Sequence, residues 1–206
     1  MTPPERSPER DAALDALLVR VPQQGWTRAA LRAALADLGA DPADAVLLFP
    51  GRDGELVEAF IDLIDRRMTE AAGEMSHLRT PARVRALIAL RLAQTRPHRD
   101  AVRRGLAVLA RPGNAALAAR CTARSVDAIW HAAGDRSADF AWYTKRATLA
   151  AVYAATLLYW LRDASEDDAD TLAFLDRRLA GVGQIGRLRR RIEQRCARLR
   201  PGDAVA

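Results

Sequence analysis

Apolar residues recur three and four positions apart along nearly the whole chain, and no run alternates apolar with polar residues between turn signals. That spacing predicts an all-α fold of about nine or ten helices. After a polar, proline-containing leader over residues 1–11, Ala12 to Val21 makes a short helix that Pro22, Gln23, Gln24 and Gly25 end. Thr27 caps the next helix, which carries Leu31, Leu35 and Leu38 at core spacing before Gly39 stops it. Asp41 and Pro42 open a very short helix through Leu48, and the turn from Pro50 to Gly54 leads into a longer one with Leu56, Phe60, Leu63 and Ile64. Further helices are expected at about 81–95, 98–110, 114–132, 138–162 and 168–180, divided by Pro97, Pro112-Gly113 and Gly134-Asp135. No internal repeat is evident.

Residues 139–163 hold all three tyrosines, two of the four tryptophans and the only lysine of a chain that is 5% aromatic. Ser137 can cap this helix, and Asp139 then lies in its first turn, where the helix dipole favours an acid. At 100° per residue Trp142, Leu149, Tyr153, Thr156 and Trp160 share one face, while Phe140, Ala147, Ala151, Ala154 and Leu158 share the other. A helix apolar on both faces is expected to be buried on both. Its alanine side permits close approach of a neighbour, and its aromatic side either borders a cavity or fills the core. Trp142 and Tyr143 differ, because they lie among Asp139, Lys145 and Arg146. Aromatics ringed by charge are typical of a protein-binding hot spot.

Composition narrows the class. A chain of 206 residues, 50% of them hydrophobic, can bury a substantial core. Two readings of its +6 net charge stay open, an arginine- and alanine-rich genome or an anionic partner. Cys121 and Cys196 have no paired spacing, which fits a reducing compartment. Met1 is followed by prolines and charges rather than an apolar run, so no secretory signal is expected. The longest apolar run, Ala147 to Leu161, falls short of the roughly 20 residues a membrane span needs.

The first helices, a short second and third around a tight turn before a longer fourth, resemble the head of a tetracycline-repressor-type regulator. In such regulators the short third helix reads the major groove with outward polar side chains. Here that segment reads PADAVLLFP, and Asp44 is its one strongly polar side chain. Residues 26–68 carry five Arg against eight Asp or Glu, the wrong sign for a phosphate-binding surface, whereas residues 69–135 carry eleven Arg against five acids. Sequence-specific DNA binding is therefore not expected, and residues 12–68 are read as a degenerate helix-turn-helix head on a helical body over 69–180.

The run GDRSADFAWYTKRATLAAVYAATLLYWLRD, Gly134 to Asp163, resembles the signature of the ubiquinone-biosynthesis lipid-binding family called coenzyme Q protein nine. The segments GELVEAF and RVRALIALRL extend the resemblance over roughly residues 26–183. It implies a tetracycline-repressor-like fold without DNA binding, a lipid site in the body, and delivery of isoprenoid quinone precursors. It also implies a partner, the di-iron demethoxyubiquinone hydroxylase, with Asp139, Trp142 and Tyr143 matching the family's partner patch, which Lys145 and Arg146 adjoin. Helical facing together with the resemblance places Leu87, Leu90, Leu117, Cys121, Trp130, Leu149, Val152, Tyr153 and Leu157 around an isoprenoid or acyl chain.

The end of the chain departs from the family and stands on its own pattern. Val182, Ile185, Leu188, Ile192, Cys196 and Leu199 fall three and four apart, with Arg187, Arg190, Arg191 and Arg198 on the opposite arc. Residues 185–200 hold seven Arg and one Glu, so this basic amphipathic helix is expected either to bind an anionic leaflet or to dock on the body or a second subunit. Gly181, Gly183 and Gly186 form a hinge before it, and 181–206 is taken as a separate segment. Catalytic constellations are thin. Glu74 and His77 have Glu-x-x-His spacing, but no second such pair accompanies them, so neither a metal nor any other cofactor is expected. The expectation is a non-enzymatic, homodimeric lipid-binding accessory protein, peripheral to the inner face of the cytoplasmic membrane. The competing class is a ligand-responsive transcriptional regulator of the tetracycline-repressor type.

Overall fold

The structure, a computed structural model, describes residues 4–135 and 141–181. Among these every regular element is helical. α1, Pro8–Gln24, starts earlier than the apolar pattern suggests. Ser7 accepts the Arg10 N–H at 3.2 Å, Pro8 occupies the first turn where no N–H is missed, and Glu9 and Asp11 meet the positive end of the dipole. Much of the polar leader is thus a helix start. α2, Arg28–Asp37, is capped as expected by Thr27, whose hydroxyl accepts the Ala30 N–H at 3.1 Å. A 3-10 turn, Pro42–Asp44, runs into α3, Ala45–Leu48, and α4 follows over Asp53–Ala71.

The head core is apolar and continuous. Leu14, Leu17, Leu31, Leu35, Phe49, Leu56, Phe60 and Leu63 are buried in one cluster that also takes in Ala101 and Val108. Trp26 stacks at a tilt on Phe60, with centroids 4.9 Å apart, and donates its indole N–H to the Ala101 carbonyl at 2.9 Å. That carbonyl belongs to α6, Arg99–Leu109. Gly105 lets α6 come this close, since a Cβ there would lie 3.3 Å from the indole nitrogen. α4 also packs on α5, Thr80–Thr95, and along α7, Ala115–Ala132.

Acids of the head are largely held within it. Asp62 takes Arg6 at 2.8 Å and Arg66 at 3.2 Å, Arg66 also holds Asp11 at 2.7 Å, and Arg67 holds Asp15 at 2.7 Å. These pairs bind α1 to α4. Arg10 is buried, donates to the Leu48 carbonyl and lies 4.2 Å over the Phe49 ring, which fixes the end of α3.

Two compact units divide the chain, Met1–Tyr153 and Ala154–Ala206, and the boundary falls within α8, Ala141–Trp160. In the second unit Asp163 organises the start of helix 169–181: it accepts from the Ser165 N–H and hydroxyl and from the Thr171 N–H and hydroxyl at 2.5–2.8 Å. Tyr159 stacks on Phe174, with centroids 4.6 Å apart. One expectation for α8 fails. Leu149, Tyr153, Thr156 and Trp160 are buried, but Ala147, Ala151, Ala154 and Leu158 are exposed in this chain. Alanine counts as apolar in a periodicity pattern yet carries little area to bury, so an alanine face costs little when left in water.

Candidate functional site

The outer face of α7 and the start of α8 gathers what the sequence marked. Tyr143 is 69% exposed, and among the described large hydrophobic side chains only Leu47 and Val19, both in the head, are more exposed. One turn on, Arg146 holds Asp127 of α7 at 2.6 Å, and Lys145 reaches Asp135 at 3.2 Å and lies 5.9 Å from the Trp130 ring centre. Asp139 and the Trp142 side chain lie outside the described residues. Beside Arg146 an open groove of about 630 Å³ runs between α7 and α8, floored by Ala119, Ala123, Val126, Ala147 and Ala150. Small residues on both helices leave the floor of the groove open, and Arg124, Asp127 and Arg146 are among its polar lining. Exposed aromatic, charged pairs and an apolar trough together make a surface suited to a macromolecule rather than to catalysis.

The nine residues assigned to a lipid site are distributed as follows. Leu87, Cys121, Leu149, Val152, Tyr153 and Leu157 are buried, while Leu90, Leu117 and Trp130 are half-buried. Cys121 belongs to the core cluster of the head, and Leu117 packs against it. Burial pushes the Cys121 thiol up to about 11, so it stays protonated and inert.

Sequence reasoning missed a buried polar cluster in the first unit. Arg91 of α5 donates to Asp65 of α4 at 2.7 Å and to the Tyr153 hydroxyl of α8, and Ser125 of α7 donates to Asp65 at 2.6 Å. Four helices therefore meet at one ion pair whose members are each under a tenth exposed. Burial works against the Arg91 charge, but the Asp65 carboxylate more than offsets it and the guanidinium pKa ends above its ordinary value. Burial raises Tyr153 as well, which keeps the phenol neutral. A signal existed: Val84, Leu87, Ile88, Arg91, Leu92 and Thr95 form one stripe, and so do Cys121, Ser125 and Ile129. A polar residue on an apolar stripe is inside and needs a partner.

Fold and surface define a class, the all-α tetracycline-repressor-like proteins, here with Val46 and Leu47 where a regulator would present base-reading side chains. The crystal structure of a TetR transcriptional regulator from Nitrosomonas europaea matches with a TM-score of 0.70 and 24% identity, over 86% of this chain and 99% of that one, a likeness of fold alone. Residues 115–186 match the COQ9 family model. The mitochondrial ubiquinone biosynthesis protein COQ9 of Homo sapiens is 33% identical over 190 residues, 87% of this chain and 59% of the human protein. That of Drosophila melanogaster is 34% identical over 183 residues, 85% of this chain and 56% of its own. Over most of its length the chain is thus similar to COQ9 proteins. It spans about three fifths of the length of the curated relatives it matches. No helix among the described residues is long and apolar enough to cross a membrane.

Proposed function

We propose that the chain is a non-enzymatic accessory protein of ubiquinone biosynthesis that binds an isoprenoid quinone precursor and presents it to the demethoxyubiquinone hydroxylase. The observation that carries this is the similarity, over 87% of the chain, to proteins named for ubiquinone biosynthesis. Support for a partner surface comes from Tyr143, an aromatic anchor in water between Arg146–Asp127 and Lys145–Asp135. Support for a lipid site comes from the apolar, buried residues Leu87, Leu149 and Val152 of the first unit. The exposed alanine face of α8 allows a second copy to approach closely, in keeping with a homodimer. Residues 185–200, outside the described region, supply the sequence pattern for peripheral contact with the inner face of the cytoplasmic membrane.

The regulator class is disfavoured by the third helix, where exposed Val46 and Leu47 offer nothing to a base edge. Mass spectrometry of lipid released from the purified protein, beside a pull-down with the hydroxylase, tests the proposal. A quinone precursor in the extract and a retained hydroxylase are the expected results. An extract without lipid and no retained hydroxylase overturn it, and a gel-shift selection that enriched one operator would restore the regulator.

A further inference from the structure

We propose that Arg83 is a positioning residue for the partner surface, holding the α4–α5 loop against the end of α7 so that Asp135 stands where Lys145 meets it. This rests on the partner reading of the α7–α8 face. Arg83 lies one turn into α5, near the positive end of that helix's dipole, which disfavours a cation. What favours it there comes from other segments. The guanidinium donates to three backbone carbonyls, those of Leu78 at 2.8 Å, Ser76 at 3.0 Å and Ala133 at 3.2 Å. The first two belong to the loop between α4 and α5, and the third closes α7, where the negative end of a dipole favours a cation.

This approach needs Gly134. Its φ of +78° is left-handed backbone, and a Cβ there would lie 3.0 Å from Arg83 Nη1. The same conformation turns the chain so that the Asp135 N–H donates back to the Trp130 carbonyl at 3.0 Å and completes the last turn of α7. The Asp135 side chain, 10% exposed, then accepts Lys145 Nζ at 3.2 Å, and Lys145 lies 5.9 Å from the centre of the Trp130 ring. Arg83 and Lys145 thus hold one turn at Ala133 and Asp135, two residues apart, and the Lys145 end of it adjoins exposed Tyr143. A binding surface keeps its geometry through such supporting contacts, so releasing the Ala133 carbonyl shifts Asp135 and with it the charged edge beside Tyr143.

Lys145 is the only lysine of the chain, so a lysine reagent reads this turn alone. Trace acylation by N-hydroxysuccinimidyl acetate, read by mass spectrometry of the Lys145 peptide, is set beside hydroxylase retention, both well below the melting temperature. Arg83→Gln is expected to acylate Lys145 about twofold to fivefold faster, the factor that a lost surface ion pair supplies. Its hydroxylase retention should fall about threefold although Arg83 itself does not touch Tyr143, Lys145 or Arg146 through any of its three hydrogen bonds. Arg83→Lys, whose single amine cannot span three carbonyls, should fall between wild type and Arg83→Gln in both readouts. Arg67→Gln removes a pair that also ties two segments, Arg67 to Asp15 at 2.7 Å, and leaves both readouts at wild type. Unchanged Lys145 acylation in Arg83→Gln overturns the proposal whatever the hydroxylase does. So does full retention by Arg83→Gln where Tyr143→Ala loses the hydroxylase. A wild type that retains no hydroxylase, with Lys145 acylation still faster in Arg83→Gln, sinks the partner reading itself, and the positioning role falls with it although the contact stands.

Discussion

In the head the arginine pairs lie over a closed apolar core, and on the α7–α8 face the charged pairs lie beside an exposed aromatic and an open groove. Arg6, just before α1, holds Asp62 of α4, Arg66 and Arg67 of α4 hold Asp11 and Asp15 of α1, and Arg10 lies over Phe49 and donates to the Leu48 carbonyl, so that each guanidinium ties two segments together. Arg146 and Lys145 instead hold Asp127 and Asp135 next to exposed Tyr143 and an alanine-floored groove. The same residue types thus do two jobs, and a count of charges cannot tell them apart. Of the acids in residues 26–68, Asp37, Glu55 and Asp62 hold Arg20, Arg10 and Arg6, and Glu58 and Asp65 hold Arg124 and Arg91. Buried charge, as at Arg10 and the Arg91–Asp65 pair, should register in stability, and charge beside exposed Tyr143 in association.

The largest effect is expected where charge is most deeply enclosed. Asp65→Ala leaves Arg91 buried and deprives Ser125 of its acceptor, at a cost of about 3–5 kcal/mol in denaturant unfolding. Replacing both members, Asp65→Leu with Arg91→Met, should recover most of that loss, since an apolar pair of similar volume carries no desolvation penalty. A double variant as unstable as the single one would show that the cluster matters for something other than charge. Next in size is Arg10→Ala, about 2 kcal/mol, from the lost Leu48 hydrogen bond and Phe49 contact. Its unfolding midpoint checks the assignment, and hydroxylase retention should not change.

Helix positions were legible because Gly39, the Pro112-Gly113 turn and the 3.6-residue period act locally. Leu56, Phe60, Leu63 and Ile64 are buried as their spacing required. What escaped was whatever depends on a partner far along the chain. Arg91 shows in sequence only as a polar residue on an apolar stripe, and its partner Asp65, 26 positions earlier, is found only when α4 and α5 pack together. Arg10 reads as leader until Leu48 and Phe49 arrive. The alanine face of α8 misled for a different reason, since its apolar pattern is real but its buried area is small. At the candidate site the clustering of Tyr143, Lys145 and Arg146 was visible in sequence, whereas the groove needs α7 and α8 side by side.

A smaller and pH-dependent effect belongs to the second unit. Burial tends to raise Asp163, but the hydrogen bonds from Ser165 and Thr171 more than offset it and hold the carboxyl at about 2. A folded pKa below the unfolded one means stability that is present above about pH 4 and lost as pH falls toward 2. Thermal melts between those limits should show wild type losing on the order of 1–2 kcal/mol more than Asp163→Asn. Parallel curves for the two would mean that the turn does not depend on the charge.

The smallest stability effect, and the sharpest break between the two regions, is expected at Tyr143. With the ring 69% exposed, Tyr143→Ala removes little packing and should shift unfolding by no more than about 0.5 kcal/mol. Arg146→Ala deletes an ion pair whose Asp127 partner is well exposed while Arg146 is largely covered, so the loss is expected at the upper end of the about 0–1 kcal/mol of surface pairs. Association should behave in the opposite way, because exposed aromatics and arginines carry a disproportionate share of binding energy, about 2 kcal/mol or more for a hot spot. Retention of the hydroxylase by Tyr143→Ala should therefore fall at least about tenfold while its melting curve overlays that of wild type. The control is Asp65→Ala below its melting temperature, which should bind the hydroxylase normally despite its instability. If Tyr143→Ala binds normally, the α7–α8 face is not the partner surface, and the outward charges there are solvation alone.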